Sequence, residues 1–461
     1  MLKLTSPLTH SPSSTAFVAE VAQFLLHNEI PVSEFRTVYK ELFTELAKVE
    51  FSFDLPIDKI QFLENALHVF QRHVVDDNGN DVNTIVRNAQ CKLEVQTIRG
   101  SGIVQPLVLT ENEAREWVTQ QIAEPGIIDI ALSNSQPHPD DILFAIGAGA
   151  ELSPIKEWLA AGGQVAALMR PNNTRWHELI DFARSSAGTL YVPIVDTSAQ
   201  QTRQPGVDVV TQLDAAAVFL KHIVQMHPRK LIVGAYMYVG GAAHLIAQAC
   251  QDALQTLALE LHQDTVLTWL ATPTDQTPLS LTVADAVTNR YATRNRSTKF
   301  RDWWWQRLGL CFPPAFTHVR SGGVQLALRD FAAAKQGPNY LMAKRAQRWR
   351  AYLAALQDRQ VAYLVTPPAR THSVLSHRIL KATYKGAPQF GLHPFEVGTT
   401  KRSSAAVLAH AVAHPMFYDA QRPTEIHEKW AIHGGIWRVG YEPSSVWVPA
   451  TIRGLAGLLA K

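Results

Sequence analysis

Cysteine is scarce and scattered: the 461 residues hold three, Cys91, Cys250 and Cys311, odd in number and far apart. Such spacing supports neither a disulfide framework nor a C-x-x-C metal site, and it suits a reducing cytoplasm. Charge is sparse as well. Charged residues make up 18% of the chain, and Lys plus Arg exceed Asp plus Glu by only 43 to 40, a net charge of +3. No broad field is available to gather nucleic acid, although a small anionic ligand stays open. No stretch reaches the roughly 20 apolar residues of a membrane span, so no integral membrane contact is expected. The first 17 residues lack the apolar core of a secretory signal; their Ser/Thr-rich, acid-free start is similar to a transit peptide but carries no arginine before Arg36. A soluble, cytoplasmic protein is the expectation. The histidines of the C-terminal part, among them His410 and His414 at helical spacing, form no H-E-x-x-H or carboxylate pattern, and no metal is expected.

Hydrophobic residues make up 46% of the chain, enough for a sizeable core, and the length exceeds the usual single domain. Residues 1–135 read as a mainly helical accessory region, with apolar periodicity over 17–27, 32–49 and 58–74 and a strand near 91–98. A polar, proline-bearing linker follows at 133–139. From residue 140 short apolar runs alternate with helical patterns. The runs 142–146, 165–169, 190–194, 231–236, 266–270 and 361–365 predict strands, and 155–161, 178–185, 215–226, 242–261 and 340–356 predict helices between them. Six strands with five helical crossovers make an α/β, doubly wound parallel sheet of the Rossmann type over 140–461. About seventy residues separate Leu270 from Tyr340, too many for an ordinary crossover loop, so an insertion with structure of its own is placed at about 276–336. A C-terminal extension runs over about 372–461.

The first predicted strand leads into Gly147-Ala148-Gly149-Ala150-Glu151-Leu152-Ser153-Pro154 and then a helix, the context of a dinucleotide-binding turn. Gly147 and Gly149 would let the backbone approach a pyrophosphate, and Ser153 could cap the helix with Pro154 at its first position. The spacing departs from G-x-G-x-x-G, with Leu152 at the third position, and Glu151 would repel phosphate unless it points away. A plain tight turn is the alternative. The second strand ends in Met169-Arg170, with Arg175 close behind. Arginine there, with no acid to take a ribose 2′-hydroxyl, favours the 2′-phosphate of NADP(H), with a solvated surface arginine as the alternative for either residue. After the third strand, Asp196 could bond the adenine amino group or simply start a turn.

Tyr340 and Lys344 lie four apart on a predicted helix and share a face. A neighbouring ammonium lowers a phenol's pKa, so Tyr340 could exchange a proton with a carbonyl or carbinol oxygen. Alone, Y-x-x-x-K fits an amphipathic helix surface better. In order and neighbourhood, however, the run from about residue 140 to 371 resembles the short-chain dehydrogenase/reductases, with a ketoreductase-like flavour. The similar features are the glycine turn, Asp196-Thr197, a fourth strand closing on Gly234-Ala235, the Tyr340/Lys344 helix, and Val361 to Thr371. The resemblance implies a cofactor contact at Pro367 and Thr371, with Pro368 where the family usually has glycine. It also implies a Tyr-Lys catalytic pair and a hydroxyl on the substrate oxygen. Thr272 or Thr274 would supply that hydroxyl, with Ser321 as rival, and the helix 242–261 offers no asparagine for the family's fourth catalytic position. A dimer or tetramer is implied too.

Trp303-Trp304-Trp305, flanked by Lys299, Arg301 and Arg307, cannot all point into one small core. A lid over a lipophilic pocket is the preferred reading, and a dimer interface, a membrane surface and plain core packing are the others open to them. The expected function is an NADPH-dependent carbonyl reductase acting on a hydrophobic or carrier-bound substrate, in lipid or polyketide-type metabolism. The alternatives are a noncatalytic NADP(H)-binding regulator or scaffold, and an interaction protein that uses the tryptophans.

Overall fold

A computed structural model describes residues 1–27, 31–171, 174–197, 202–271, 273–332 and 336–459. The larger of its sheets contains β1 (Leu93–Arg99), β2 (Ile142–Ile146), β3 (Gln164–Leu168), β4 (Thr189–Thr197), β5 (Thr202–Pro205), β6 (Leu231–Ala235) and β7 (Thr265–Ala271). A smaller antiparallel sheet, β8 (Gln276–Ser280), β9 (Thr317–Ser321) and β10 (Val324–Asp330), lies in the long interval before β11 (Gln360–Val365), which returns to the large sheet. Helices used below are α1 (Ser14–Leu26), α2 (Phe35–Glu50), α3 (Pro56–Arg72), α4 (Ile155–Ala160), α5 (Arg175–Ser185), α6 (Leu213–Gln225) and α7 (Ala243–Leu261). They continue with α8 (Leu281–Ala292), α9 (Arg296–Arg307), α10 (Pro338–Leu356), α11 (Arg378–Gly386), α12 (Val397–Ala413) and α13 (Trp447–Leu459).

The fold is mixed α/β around a mostly parallel sheet ordered β11-β7-β6-β2-β3-β4-β1, with β5 paired to β4. The strands from β11 to β4 run parallel, while β1 and β5 pair antiparallel with β4. Counted along the chain, the six parallel strands stand in the order 3-2-1-4-5-6. They are short and nearly continuous in apolar residues because both faces are covered. In β2, Ile142, Phe144 and Ile146 face α6, α7 and α10, and Leu143 and Ala145 face α4, α5 and α12.

Residues before 140 share this architecture. β1 extends the sheet at one edge, and Phe17, Phe43 and Phe70 of α1, α2 and α3 join the same core as α7 and α10. The interval 276–336 folds its small sheet, α8 and α9 against the C-terminal stretch, where Leu279 and Phe331 meet Phe390, Trp437 and Val446.

Helix α10 begins with Gly337 at its cap and Pro338 in its first turn, a start that proline's fixed φ favours. Fourteen of its 19 residues are buried, so it is a core helix and not the amphipathic surface that its lysine and arginines also fit. Its cations are answered by acids from other segments: Arg345 Nε donates to Asp275 (2.7 Å), Arg348 to both oxygens of Glu50 on α2 (2.9 and 3.0 Å), and Arg350 to Asp252 on α7 (2.6 and 3.0 Å). Buried charge is tolerated when paired and bonded in this way.

Candidate active site

A cleft of about 940 Å³ opens at the carboxyl ends of β2, β6, β7 and β11. It straddles the place where the chain order reverses, between the first parallel strand, β2, and the fourth, β6. Loops leave these strands in opposite directions there and part to form a crevice. Glu151, Tyr236, Tyr238, His244, Tyr340 and Lys344 are among its walls.

On the β2 side Gly147 has φ +87°, and a Cβ there would lie 2.6 Å from the amide nitrogen of Met237, which follows β6. Glycine is needed both for the turn and for the approach of the two loops. The amides of Gly147 and Ala148 are spent on the Leu168 carbonyl, at 3.0 and 2.9 Å. Those of Gly149, Glu151 and Leu152 donate no hydrogen bond among the described residues. The carbonyl of Gly149 accepts from the Arg175 guanidinium. Glu151 accepts from the His372 amide at 2.9 Å, tying the turn to the segment after β11. That amide opens a short helix, where a carboxylate is welcome.

Ser153 does not cap α4 as expected. Pro154 takes the cap position, and the Ser153 hydroxyl is buried without a partner beside a second cavity of about 240 Å³ that Arg175 and Lys401 also line. Proline has no side-chain oxygen, so that short helix has no side-chain cap. Arg170, at the end of the second parallel strand, is exposed and pairs with Asp208 at 3.4 Å, an acid that sequence reasoning had not associated with it. The backbone of Asp196 and Thr197 ends β4; their side chains, and all of Thr272, lie outside the described residues.

On the β6 side, a Cβ at Gly234 would meet the Tyr236 ring at 2.4 Å, so glycine makes room for that aromatic, and Ala235 lines the cleft. Beyond β11, Thr366, Pro367 and Thr371 border it. The Thr366 hydroxyl is buried and has no partner among the described residues, and that of Thr371 meets Ser373 at 3.1 Å.

Tyr340 and Lys344 enter the cleft together from α10, with the lysine nitrogen 5.9 Å from the tyrosine ring centre. Lys344 Nζ donates to the Leu270 carbonyl (3.3 Å) and to Gln347 (3.1 Å). A buried amide chain continues from Gln347 to Gln248 (2.9 Å), and Gln251 links Gln248 to the Met237 amide. Burial lowers the Lys344 pKa to about 8, because an ammonium loses hydration there. Tyr340 moves opposite to expectation. Burial, reinforced by Tyr238, Tyr363 and Tyr384, raises its pKa. The phenol therefore stays protonated.

Of the hydroxyls proposed to assist it, the two that are described are bonded elsewhere. Thr274 donates to Gln336 at 2.7 Å, and Ser321 lies in the small sheet, donating to the Phe53 carbonyl at 3.3 Å. What stands next to Tyr340 is His244, which the sequence reading missed. Its ring stacks on Tyr340 (5.4 Å, 11°), its Nδ1 accepts from the Val239 amide (3.5 Å), and its Nε2 is buried without a partner among the described residues. Burial, followed by the charge of Lys344, lowers its pKa to about 3, so it is neutral. The available signal was the Gly240-Gly241 turn between β6 and α7, a second strand-turn-helix unit that delivers a histidine to the same edge.

Trp303, Trp304 and Trp305 are not cleft residues. Trp305 packs against the core shared by β8 and the C-terminal stretch, whereas the other two are exposed. His410 stacks on His414 and meets the Ser133 hydroxyl at 2.7 Å.

No family model matches the chain, and no curated protein matches it. Among solved structures it is similar to a thiolation-reductase di-domain from an archaeal non-ribosomal peptide synthetase, at 12% identity over 82% of this chain and 71% of that one. The TM-score is 0.28, too low a likeness to carry an argument.

Proposed function

We propose that the chain is an NADPH-dependent reductase on a Rossmann-type fold, reducing the carbonyl of a hydrophobic or carrier-bound substrate. The observation that carries this reading is the joint placement of Tyr340 and Lys344 in the crevice at the sheet's reversal point, where open α/β sheets bind their ligands. The strand order supports it.

The residues present fit a dinucleotide. The amides of Gly149, Glu151 and Leu152, which donate no hydrogen bond among the described residues, offer donors to a pyrophosphate, and Arg175 stands at the same turn. The Thr366 hydroxyl and the segment to Thr371 offer polar contacts to the nicotinamide end. Bound there, the cofactor supplies hydride. Tyr340, held protonated, gives its proton to the carbonyl oxygen, and Lys344, with a pKa of about 8, keeps positive charge beside that oxygen at neutral pH. Tyr236, Tyr238 and Met237 give the cleft an apolar wall suited to a hydrophobic substrate. A second reading, an NADP(H)-binding regulator without turnover, is favoured by the engagement of Thr274 with Gln336.

The test is titration of the full chain with NADPH by fluorescence, followed by turnover of Tyr340→Phe. The variant is expected to keep wild-type cofactor affinity and lose about 10²–10⁴-fold in rate. Unchanged turnover in the variant would remove the mechanism. NADPH binding with no turnover in the wild type would favour the regulator, and no binding would end both readings.

A further inference from the structure

Helix α9 presents a stripe of side chains to solvent that neither the core nor the cleft uses. Arg296, Lys299, Phe300, Trp303, Trp304, Arg307 and Leu308 recur at intervals of three and four, and all are exposed. Such spacing places them on one face of the helix. The apolar members are large and open: Phe300 is 65%, Trp304 54% and Leu308 70% exposed. Phe300 stacks on Trp303, and the Arg307 guanidinium lies 4.1 Å from the Trp303 ring centre. The stripe meets no acid of its own segment. Asp302 is the only acidic residue between Asp285 and Asp330; it is buried on the other side, held by Arg294 (3.1 Å), Arg301 (3.0 Å) and the Tyr441 hydroxyl (2.8 Å).

A second surface of the same chemistry is joined to it through the segment after α9. The Phe312 amide donates to the Ser445 hydroxyl at 3.0 Å, and Ser445 leads into α13, whose Val448, Ile452 and Leu455 are exposed at helical spacing beside exposed Arg453. α13 packs closely on α11, where a Cβ on Gly454 would meet the Ala382 carbonyl at 1.7 Å. α11 adds exposed Arg378, Ile379 and Lys381. No acid occurs from Thr371 to Phe395 or after Glu442.

We infer that α9, together with the α11–α13 pair, docks on the surface of a bilayer containing anionic phospholipid. Cations on these helices match lipid phosphates and carboxylates, while tryptophan, phenylalanine and leucine enter the boundary between headgroups and acyl chains. Charge complementarity selects this occupant. The stripes pair cations with large apolar groups and carry no acid, the combination that an anionic headgroup layer over acyl chains takes up. Contact is with the surface, since no helix among the described residues is long and apolar enough to cross a membrane. The inference stands apart from the proposed reductase activity.

The full chain is tested by co-sedimentation with vesicles of phosphatidylcholine alone and of phosphatidylcholine with phosphatidylserine. Binding is expected only to the second, weakened by salt. Each cation removed is worth about fivefold, so Arg296→Gln/Lys299→Gln/Arg307→Gln is expected to lose on the order of a hundredfold. Trp303→Ser/Trp304→Ser is expected to abolish the vesicle-induced blue shift of tryptophan fluorescence. Failure to bind anionic vesicles, binding unchanged in both variants, or a dimer in solution that the tryptophan variant dissolves would each overturn the inference. Circular dichroism of the variants, whose altered residues are all exposed, separates lost docking from lost folding.

Discussion

Glu50→Ala is predicted to destabilise the whole protein, although residue 50 lies far from the cleft in sequence. Its carboxylate is fully buried and bonds both the Nε and Nη2 of Arg348, with Arg345 Nη1 at 3.9 Å. Lys59, also buried, sits close enough to feel its charge, and burial holds that lysine's pKa at about 8 despite the attraction. Truncation takes the carboxylate away from Arg348, Arg345 and Lys59, while Arg345 keeps Asp275. Breaking one partner of a buried pair costs about 3–5 kcal/mol, a large part of the roughly 5–15 kcal/mol that holds a typical protein folded. Glu50→Leu/Arg348→Met removes both charges and should recover most of the loss, leaving the Gln276 carbonyl short of one donor at about 1–3 kcal/mol. Urea unfolding of the three proteins measures the difference. Burial pushes the Glu50 pKa up, but Arg348, Arg345 and Lys59 together hold it below the ordinary value. A depressed carboxylate adds stability above its unfolded pKa and loses it as pH falls through the lower folded value. Wild type should therefore lose this contribution in acid, and Glu50→Ala should have none to lose. A loss below about 1 kcal/mol in Glu50→Ala would refute the claim that α2 holds the helix carrying Tyr340 and Lys344.

Gly147→Ala places a Cβ 2.6 Å from the Met237 amide at a positive φ; a cost of about 1–3 kcal/mol is expected, with weakened NADPH binding, and calorimetry plus the fluorescence titration checks both. In Lys344→Met the pH profile of reduction should change. Wild-type kcat is expected to fall as pH rises through about 8, where Lys344 loses its charge, while the variant should be slow and lack that limb. An identical limb in the variant would assign the titration elsewhere.

The sheet was legible because each parallel strand is a short apolar run bounded by turn residues, and burial on both faces imposes that pattern locally. β2 spans 142–146 as read, and β11 begins one residue earlier than expected. The partner of β1 was not legible. Its sequence shows a strand near residue 95, but only assembly shows that it pairs antiparallel with β4 and closes the sheet's edge.

The same divide runs through the site. Tyr340 and Lys344 were visible as a spacing on one helix, and the glycine turn as a strand-turn-helix context. Both are local signals carried by backbone geometry. Whether the lysine would lower the tyrosine's pKa was not a local matter, because desolvation depends on what packs around α10, and burial reversed the expected direction. Nothing local pairs Arg345, Arg348 and Arg350 with Asp275, Glu50 and Asp252, which come from three distant segments. Sequence alone determined the order of strands and helices and the residues at the carboxyl ends of the strands. Tertiary structure decided which of those residues meet, because charge pairing, desolvation and the stacking of His244 on Tyr340 depend on distances that sequence separation does not contain.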